Sequence, residues 1–481
     1  KIHSTWKGLE MKLIGELKPV PGFEYEFPLK NLDWSPFEAQ KITTKFLLSN
    51  KRAYVLNDLR TGKTMSVLWA LDILFKHEKI RKVLVIAPLT TLRLVWAKEI
   101  FENLPHLRYA IAHGSVSDRI RAIRSDVHVV IINHDGPKVC FNELINEKMD
   151  ILIIDELTAY KNAKADRSKV VIELAKYFKA VWGLTGNATP NSPTEAFGQA
   201  KVVTPNNPFL PRYYTKFREM VEMQVGPWMW IPKPTAKDTI HRILQPSVRF
   251  TRAACFDIPA MMINQVEITM SPEQQRAYEA MKKELYYQYD HGEITAVNAG
   301  VKMIKLLQIS AGAVKDDTGK VLYLDDSPKV NYILDIWKND LNQGKLVVVS
   351  AFRASVEKLT EIFKKEKIRS DFIYGQMSLN QRTNIVNDFQ SGDLQILVVQ
   401  PQAVSHGLTL DATNFMIWHS LVASGETYSQ MKDRIISASQ KKKQIVEFLI
   451  GSKADKNIYS ILSGKADFSA GVLEMFANKN L

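Results

Sequence analysis

The run Val55-Leu-Asn-Asp-Leu-Arg-Thr-Gly-Lys-Thr64 closes an apolar stretch and opens an amphipathic one. A phosphate group is held well by unobstructed backbone N–H groups at the start of a helix, and Gly62 suits that place. Lys63 would reach the β- and γ-phosphates of a nucleotide, and the Thr64 hydroxyl would ligate Mg²⁺. Arg60 and Thr61 complete the loop in front of them. The usual G-x-x-x-x-G-K-[ST] pattern has an earlier glycine, and Asn57 holds its place here. A second run, Ile151-Leu-Ile-Ile-Asp-Glu156, brings two carboxylates to the end of a strand 92 residues after Lys63. Asp155 suits Mg²⁺, and Glu156 suits polarising an attacking water. Read alone, this second run is also an ordinary strand ending in an acidic turn. Following the first, it points to hydrolysis of a nucleoside triphosphate.

These residues need strands that deliver them. Ala53–Leu56, Val83–Ala87, Val127–Ile132, Ile151–Ile154 and Ala180–Leu184 are near-continuously apolar, as strands buried on both faces of a parallel sheet are. Thr64–His77 and Leu92–Asn103 read as helices between them. A second alternation begins near residue 328, with strands expected at Lys345–Ser350, Asp371–Tyr374, Gln395–Val399, Phe415–Trp418 and Gln444–Ile450. Helices are expected there at Ser355–Glu366 and Asn380–Phe389. The fold class is therefore α/β, two tandem doubly wound parallel sheets, with ligand chemistry at the strand C-termini.

The 481 residues carry 64 Lys and Arg against 51 Asp and Glu, a net charge of +13, and 46% are hydrophobic. That balance excludes a chain disordered throughout, and the basic excess favours a polyanionic partner such as nucleic acid. Cys140 and Cys255 form no C-x-x-C pair, so neither a disulfide framework nor a zinc cluster is expected. No apolar run approaches a membrane span, and the first residues lack the apolar core of a signal peptide. A cytoplasmic, membrane-free protein is expected. His134 and His406 accompany no H-E-x-x-H or carboxylate–histidine cluster and read as structural or backbone-contacting.

Between the two alternations, residues 205–259 interleave Phe209, Tyr213, Tyr214, Phe217, Trp228 and Trp230 with Arg212, Lys216, Arg218, Lys233 and Lys237. Aromatic faces stack bases while cations neutralise phosphates. Two readings fit Trp228 and Trp230: a stiff loop that wedges between DNA strands, or anchors burying an insertion against a lobe. Ser271 and Pro272 mark a helix start.

The order of motifs resembles the superfamily 2 helicases, and within them the Swi/Snf-type DNA translocases, over residues 35 to about 450. Ser35-Pro-Phe-Glu-Ala-Gln40 is similar to the adenine-recognition segment, which puts Gln40 in the base-reading place. Val85-Ile-Ala-Pro-Leu-Thr90 followed by Trp96, and Val130-Ile-Ile-Asn-His134, resemble DNA-contacting motifs. Asp155-Glu-Leu-Thr158 with Lys161-Asn162 matches D-E-x-H…K-N, Thr158 replacing the histidine. Leu184-Thr-Gly-Asn-Ala-Thr-Pro-Asn191 resembles the coupling motif, with Asn187 and Ala188 as departures. Arg249-Phe-Thr-Arg252 resembles the segment linking the lobes. Val347–Phe352 and Ser405-His-Gly-Leu-Thr-Leu410 match motifs of the second lobe. Gln430, Arg434 and Gln440 fall on the final motif, where Ser437 replaces an arginine. Compact phage-encoded members, such as the T5-type branch-migration helicase, are the most similar.

The resemblance implies two RecA-like lobes with ATP in the cleft, Mg²⁺ on Thr64 and Asp155, and ATP-driven movement along DNA without sequence readout. Lys63, Asp155, Glu156 and Arg434, the last as arginine finger, would be the catalytic set. Gln40, the Arg60–Thr64 loop and Gly407 would bind nucleotide, and Thr90, Asn133, Ser350 and Arg353 would join Trp228 and Trp230 on DNA. Thr90, Ser350 and Arg353 fit equally as helix caps or surface residues. The expected layout is an extension over 1–30, an ATP-binding lobe over 31–204, an inter-lobe insertion over 205–260, a second lobe over 261–465 and a tail over 466–481. The expected function is remodelling or unwinding of forked or branched DNA in replication, recombination or repair, by a monomer in a bacterial host if phage-encoded. An ATPase-defective DNA-binding scaffold and an RNA helicase on the same frame are the alternatives.

Overall fold

The computed structural model describes residues 5–11, 13, 20–28, 35–226, 229–255, 261–290, 296–316, 318–404, 408–436 and 442–475. The chain forms two compact units, one of Lys1–Asp257 with Asp467–Leu481 and one of Ile258–Ala466.

The first unit is built on a seven-stranded sheet in the order Ser247–Val248, Arg52–Val55, Ala180–Leu184, Ile151–Asp155, Val83–Ala87, Val129–Asn133, Tyr109–Ala112, parallel throughout. Side chains alternate across a strand, so each apolar run feeds two cores at once. Val83, Val85, Ile151 and Ile153 face one core, with Trp69 and Leu71 of the helix Lys63–Lys76. Leu84, Ile86, Leu152 and Ile154 face the other. The helix Lys63–Lys76 buries every residue from Met65 to Leu74, Asp72 included. Asp72 accepts from Tyr25 Oη at 2.8 Å and pairs with Lys76 at 2.9 Å and His106 at 2.6 Å, so the ion is compensated. Tyr25 and Phe27, from the expected N-terminal extension, thereby join the first core.

The stretch after residue 205, set apart by composition, is part of the first unit up to Asp257 and not a separate linker. Phe217, Val221, Ile240 and Ile243, from the helices Tyr214–Val221 and Ala236–Ile243, are fully buried in its second core. Apolar burial at helical spacing attaches this stretch more firmly than its Pro and aromatic content suggests. Residues 467–475 likewise join the first unit, where Val472 enters the same core.

The second unit carries a six-stranded parallel sheet in the order Met262–Glu267, Ile445–Ile450, Phe415–Trp418, Leu346–Val349, Ile396–Val399, Ser370–Ile373. Leu346, Val348, Ile396, Val398 and Ile417 alternate into one core with Leu359 and Phe363 of the helix Arg353–Lys365. Ser271 opens the helix Pro272–Asp290 as expected, accepting from Gln274 N at 3.2 Å while its own N–H donates to Gln274 Oε1 at 3.4 Å. No helix among the described residues is long and apolar enough to cross a membrane.

Candidate active site

Three neighbouring strands of the first unit end in register. Val55 lies opposite Leu184, and Leu184 opposite Asp155. Strands are spaced by about 4.8 Å, so the loops after Val55 and Asp155 emerge roughly 10 Å apart on one rim of the sheet.

The loop after Val55 turns twice through left-handed backbone, at Arg60 (φ 67°) and Gly62 (φ 77°). Gly62 is favoured by its positive φ, and an added Cβ, 1.9 Å from Gln40 Nε2, would also displace that carboxamide. Gln40 is buried, and its Oε1 accepts from Phe37 N at 3.0 Å. The residue expected to read a base thus packs its carboxamide onto the phosphate loop and its own helix start. Thr61 is also buried, its hydroxyl donating to Asp58 O at 2.8 Å. Lys63 and Thr64 open the helix Lys63–Lys76. Lys63 Nζ donates to Asn57 O at 2.9 Å and Asp58 O at 3.0 Å. Burial lowers the Lys63 pKa, and the carboxylates of Glu156, Asp155 and Asp58 work against that.

Asp155 ends its strand with both oxygens engaged: Trp96 Nε1 donates to Oδ2 at 2.9 Å and Glu156 N to Oδ1 at 3.1 Å. Burial first, and the Glu156 carboxylate second, push the Asp155 pKa up to about 6, while the Trp96 hydrogen bond and Lys63 hold it down. Glu156 occupies a left-handed position, φ 52°, at the turn into Leu157–Tyr160. Trp96 is fully buried, so it is a partner of Asp155 and not a surface on which DNA could lie. It stands in a π-helical turn, Leu92–Ala97, that precedes Lys98–Asn103 where one continuous helix is expected. Such turns are frequent at functional sites.

Thr64 and Asp155 offer Mg²⁺ a hydroxyl and one carboxylate, a hard oxygen donor set. Among the described residues no group of three or more His, Cys, Asp or Glu side chains could hold a metal. That composition fits an ion bound partly by its substrate's phosphates.

The turn after Leu184 is closed locally. Asn187 N donates to Thr185 Oγ1 at 3.2 Å, Thr189 N donates to Asn187 Oδ1 at 3.1 Å, and Ser469 Oγ also donates to Asn187 Oδ1. The departure at Asn187 therefore supplies a side-chain cap of its own. Thr158 is buried beneath this rim. His134 Nδ1 lies 3.0 Å from Tyr160 Oη.

The residues expected on DNA are placed unequally. The Thr90 hydroxyl is shielded from solvent with no hydrogen-bond partner among the described residues, and Asn133 Oδ1 accepts from Arg119 Nη1 at 2.8 Å. Ser350 is a correction. It is fully buried, 3.0 Å from Ser420 Oγ, because it ends an interior strand, and its side chain cannot reach a phosphate at the surface. Arg353 is 48% exposed, braced by Glu357 at 2.8 Å and Gln376 at 2.6 Å, and lies 4.4 Å over the Tyr374 ring. Arg434, in the second unit, donates to Leu408 O at 3.1 Å. Trp230 is half-buried with Arg218 over its ring at 3.9 Å. Trp228, Gly407, His406, Ser437 and Gln440 lie outside the described residues.

Residues 47–317 match the SNF2-related domain family, and residues 328–439 match the helicase conserved C-terminal domain family. Protein p41 of Acyrthosiphon pisum secondary endosymbiont phage 1 is 26% identical over 420 residues, 84% of this chain and 88% of p41. The DNA annealing helicase and endonuclease ZRANB3 of Homo sapiens is 22% identical over 446 residues, 89% of this chain and 39% of that protein. The SWI/SNF-related matrix-associated actin-dependent regulator of chromatin subfamily A-like protein 1 of Xenopus tropicalis is 22% identical over 443 residues, 89% of this chain. The chain spans less than half the length of these two vertebrate relatives, 39% and 44%. Among solved structures, the Sulfolobus solfataricus SWI2/SNF2 ATPase core in complex with dsDNA is similar at 20% identity and a TM-score of 0.43, covering 98% of this chain and 96% of that one.

Proposed function

The chain belongs to the SNF2-related family of ATPases and helicases, and from that membership we propose that it hydrolyses ATP to move along DNA and to remodel forks or branch points. The observation that carries this reading is the meeting, on one rim of the first unit, of the Lys63 loop with Asp155 and Glu156, whose carboxylates act on Lys63. In this reading Lys63 leaves the Asn57 and Asp58 carbonyls for the β- and γ-phosphates. Glu156 orients the attacking water and takes its proton. Mg²⁺, when bound at Thr64 and Asp155, neutralises charge on the phosphates. Gln40 and Gly407 contribute to nucleotide binding, and Arg434 is assigned to the charge that develops during phosphoryl transfer. DNA contacts fall to Arg353 and Asn133, which touch backbone and position without reading sequence; the shielded Thr90 hydroxyl is left out for the reason that removes Ser350. The protein acts as a monomer in the cytoplasm of a bacterial host, a setting that the phage relative supports.

Strand separation is assigned to the ribbon Glu222–Gln224 and Trp230–Pro232. Met223 lies opposite Ile231, and Val225 N donates to Met229 O at 2.9 Å, so these four share one face with exposures of 37–60%. Gln224 and Trp230 share the other face, where Arg218 covers one side of the Trp230 ring and pairs with Glu222 at 3.0 Å. An exposed apolar face on a ribbon fixed from behind can abut the last base pair at a fork.

The test compares ATP-dependent processing of blunt duplex, fork and four-way junction. The fork and junction are expected to be processed and the blunt duplex not. Trp228→Ala and Trp230→Ala should lower fork unwinding while leaving DNA-stimulated hydrolysis intact. Unchanged unwinding at unchanged stability removes the wedge, and equal processing of all three substrates removes the branched-DNA reading.

A further inference from the structure

We infer that residues 249–252 are a clasp built onto the phosphate loop, and that Arg249 is a positioning residue which frees Lys63 to take phosphate. This rests on the ATP reading above and adds a residue to it.

The clasp continues the edge strand. Ser247 and Val248 pair in parallel with Tyr54 and Val55, and the next residues follow the chain into the loop. Three consecutive loop residues are each tied to it. Leu56 N donates to Val248 O at 2.9 Å, and Leu56 O accepts from Arg249 Nη1 at 2.6 Å. Asn57 Oδ1 accepts from Phe250 N at 2.9 Å, while Asn57 Nδ2 donates to Thr43 Oγ1 at 2.9 Å. Asp58 N donates to Phe250 O at 3.0 Å. The Asp58 carboxylate takes Arg249 Nη2 at 2.6 Å on Oδ1 and Arg252 N at 2.8 Å on Oδ2. The missing first glycine of the phosphate loop thus has a physical counterpart: a glycine at 57 could bridge neither Phe250 nor Thr43.

The same residues hold Lys63, since its two acceptors are the carbonyls of Asn57 and Asp58. Asp58 is a carboxylate within electrostatic reach of the Lys63 ammonium. Left alone, it would compete with an incoming phosphate for that cation, because both are anions seeking the same charge-assisted hydrogen bonds. Arg249 removes the competition. It is only 6% exposed and places its guanidinium directly on Asp58. A purely structural role for the clasp would need the edge pairing but not this charge.

The experiment measures ADP affinity by titration calorimetry and KM for ATP, in the full chain. Arg249→Met is expected to weaken ADP binding and raise KM on the order of tenfold. Adding Asp58→Asn to it should restore most of the loss, because the competitor goes with its neutraliser. Arg249→Gln, which keeps a donor for Leu56 O, replaces Arg249→Met should the latter fail to fold. Affinity unchanged in Arg249→Met or Arg249→Gln, or a double variant that binds no better than the single, overturns the inference. Failure of the intact chain to bind ADP at all would instead remove the ATP reading on which it rests.

Discussion

Lys63→Ala lowers ATP hydrolysis by about 10²- to 10³-fold or more, the usual cost of deleting a preorganised charge that stabilises a phosphoryl-transfer transition state. The ammonium is already poised between two carbonyls of the phosphate loop, within the field of three carboxylates. Its removal takes away a cation that holds down the Asp155 pKa. Asp155 then protonates more readily, so residual activity should fall away at a higher pH than in the intact chain. DNA binding should survive, since Arg353 and the ribbon elements lie elsewhere in the chain. Retained hydrolysis in Lys63→Ala would place the nucleotide at another site.

Asp155→Asn has two expected effects of opposite sign. Activity falls by about 10²-fold or more, because the carboxylate offered to Mg²⁺ is gone. The nucleotide-free protein becomes more stable at pH 8. Burial and Glu156 raise the Asp155 pKa from 3.8 to about 6. Between those values the unfolded chain releases this proton before the folded one does. Folding stability therefore declines as pH rises through the window, and the deficit is complete above it. Asn carries no charge and escapes the deficit. The raised value already contains the pull of Lys63 and Trp96, so the gain is on the order of 2–3 kcal/mol at pH 8, or several degrees in Tm. The gain should vanish below about pH 3, where the intact carboxyl is largely neutral in both states. A variant destabilised equally at both pH values would contradict this account.

Much of the fold was legible because burial on both sheet faces leaves unbroken apolar runs. Val83–Ala87, Ala180–Leu184 and Phe415–Trp418 are strands over the expected residues. The strands Tyr109–Ala112 and Met262–Glu267 were not, as each closes a sheet edge and keeps a partly exposed, mixed sequence. At the site, Lys63, Asp155 and Glu156 stood out through local motifs. The partners that set their chemistry did not. Trp96 reaches Asp155 across 59 residues, and Arg249 reaches the phosphate loop across 193. No local pattern encodes such pairings. Asn57 was visible only as a departure from a motif, and its bridging role needs Phe250 and Thr43 in place. Ser350 shows the converse: a motif match puts it at a strand end, but packing against Ser420 turns it inward.

The central claim is that a nucleotide held at Lys63 does work on DNA, and phosphate release from ATP with and without duplex or forked DNA tests it most directly. The expected result is slow hydrolysis alone, a rise of about tenfold or more when DNA is added, and neither in Lys63→Ala. Hydrolysis that ignores DNA, or DNA binding with no hydrolysis at all, would contradict it and leave a nucleic-acid scaffold in its place.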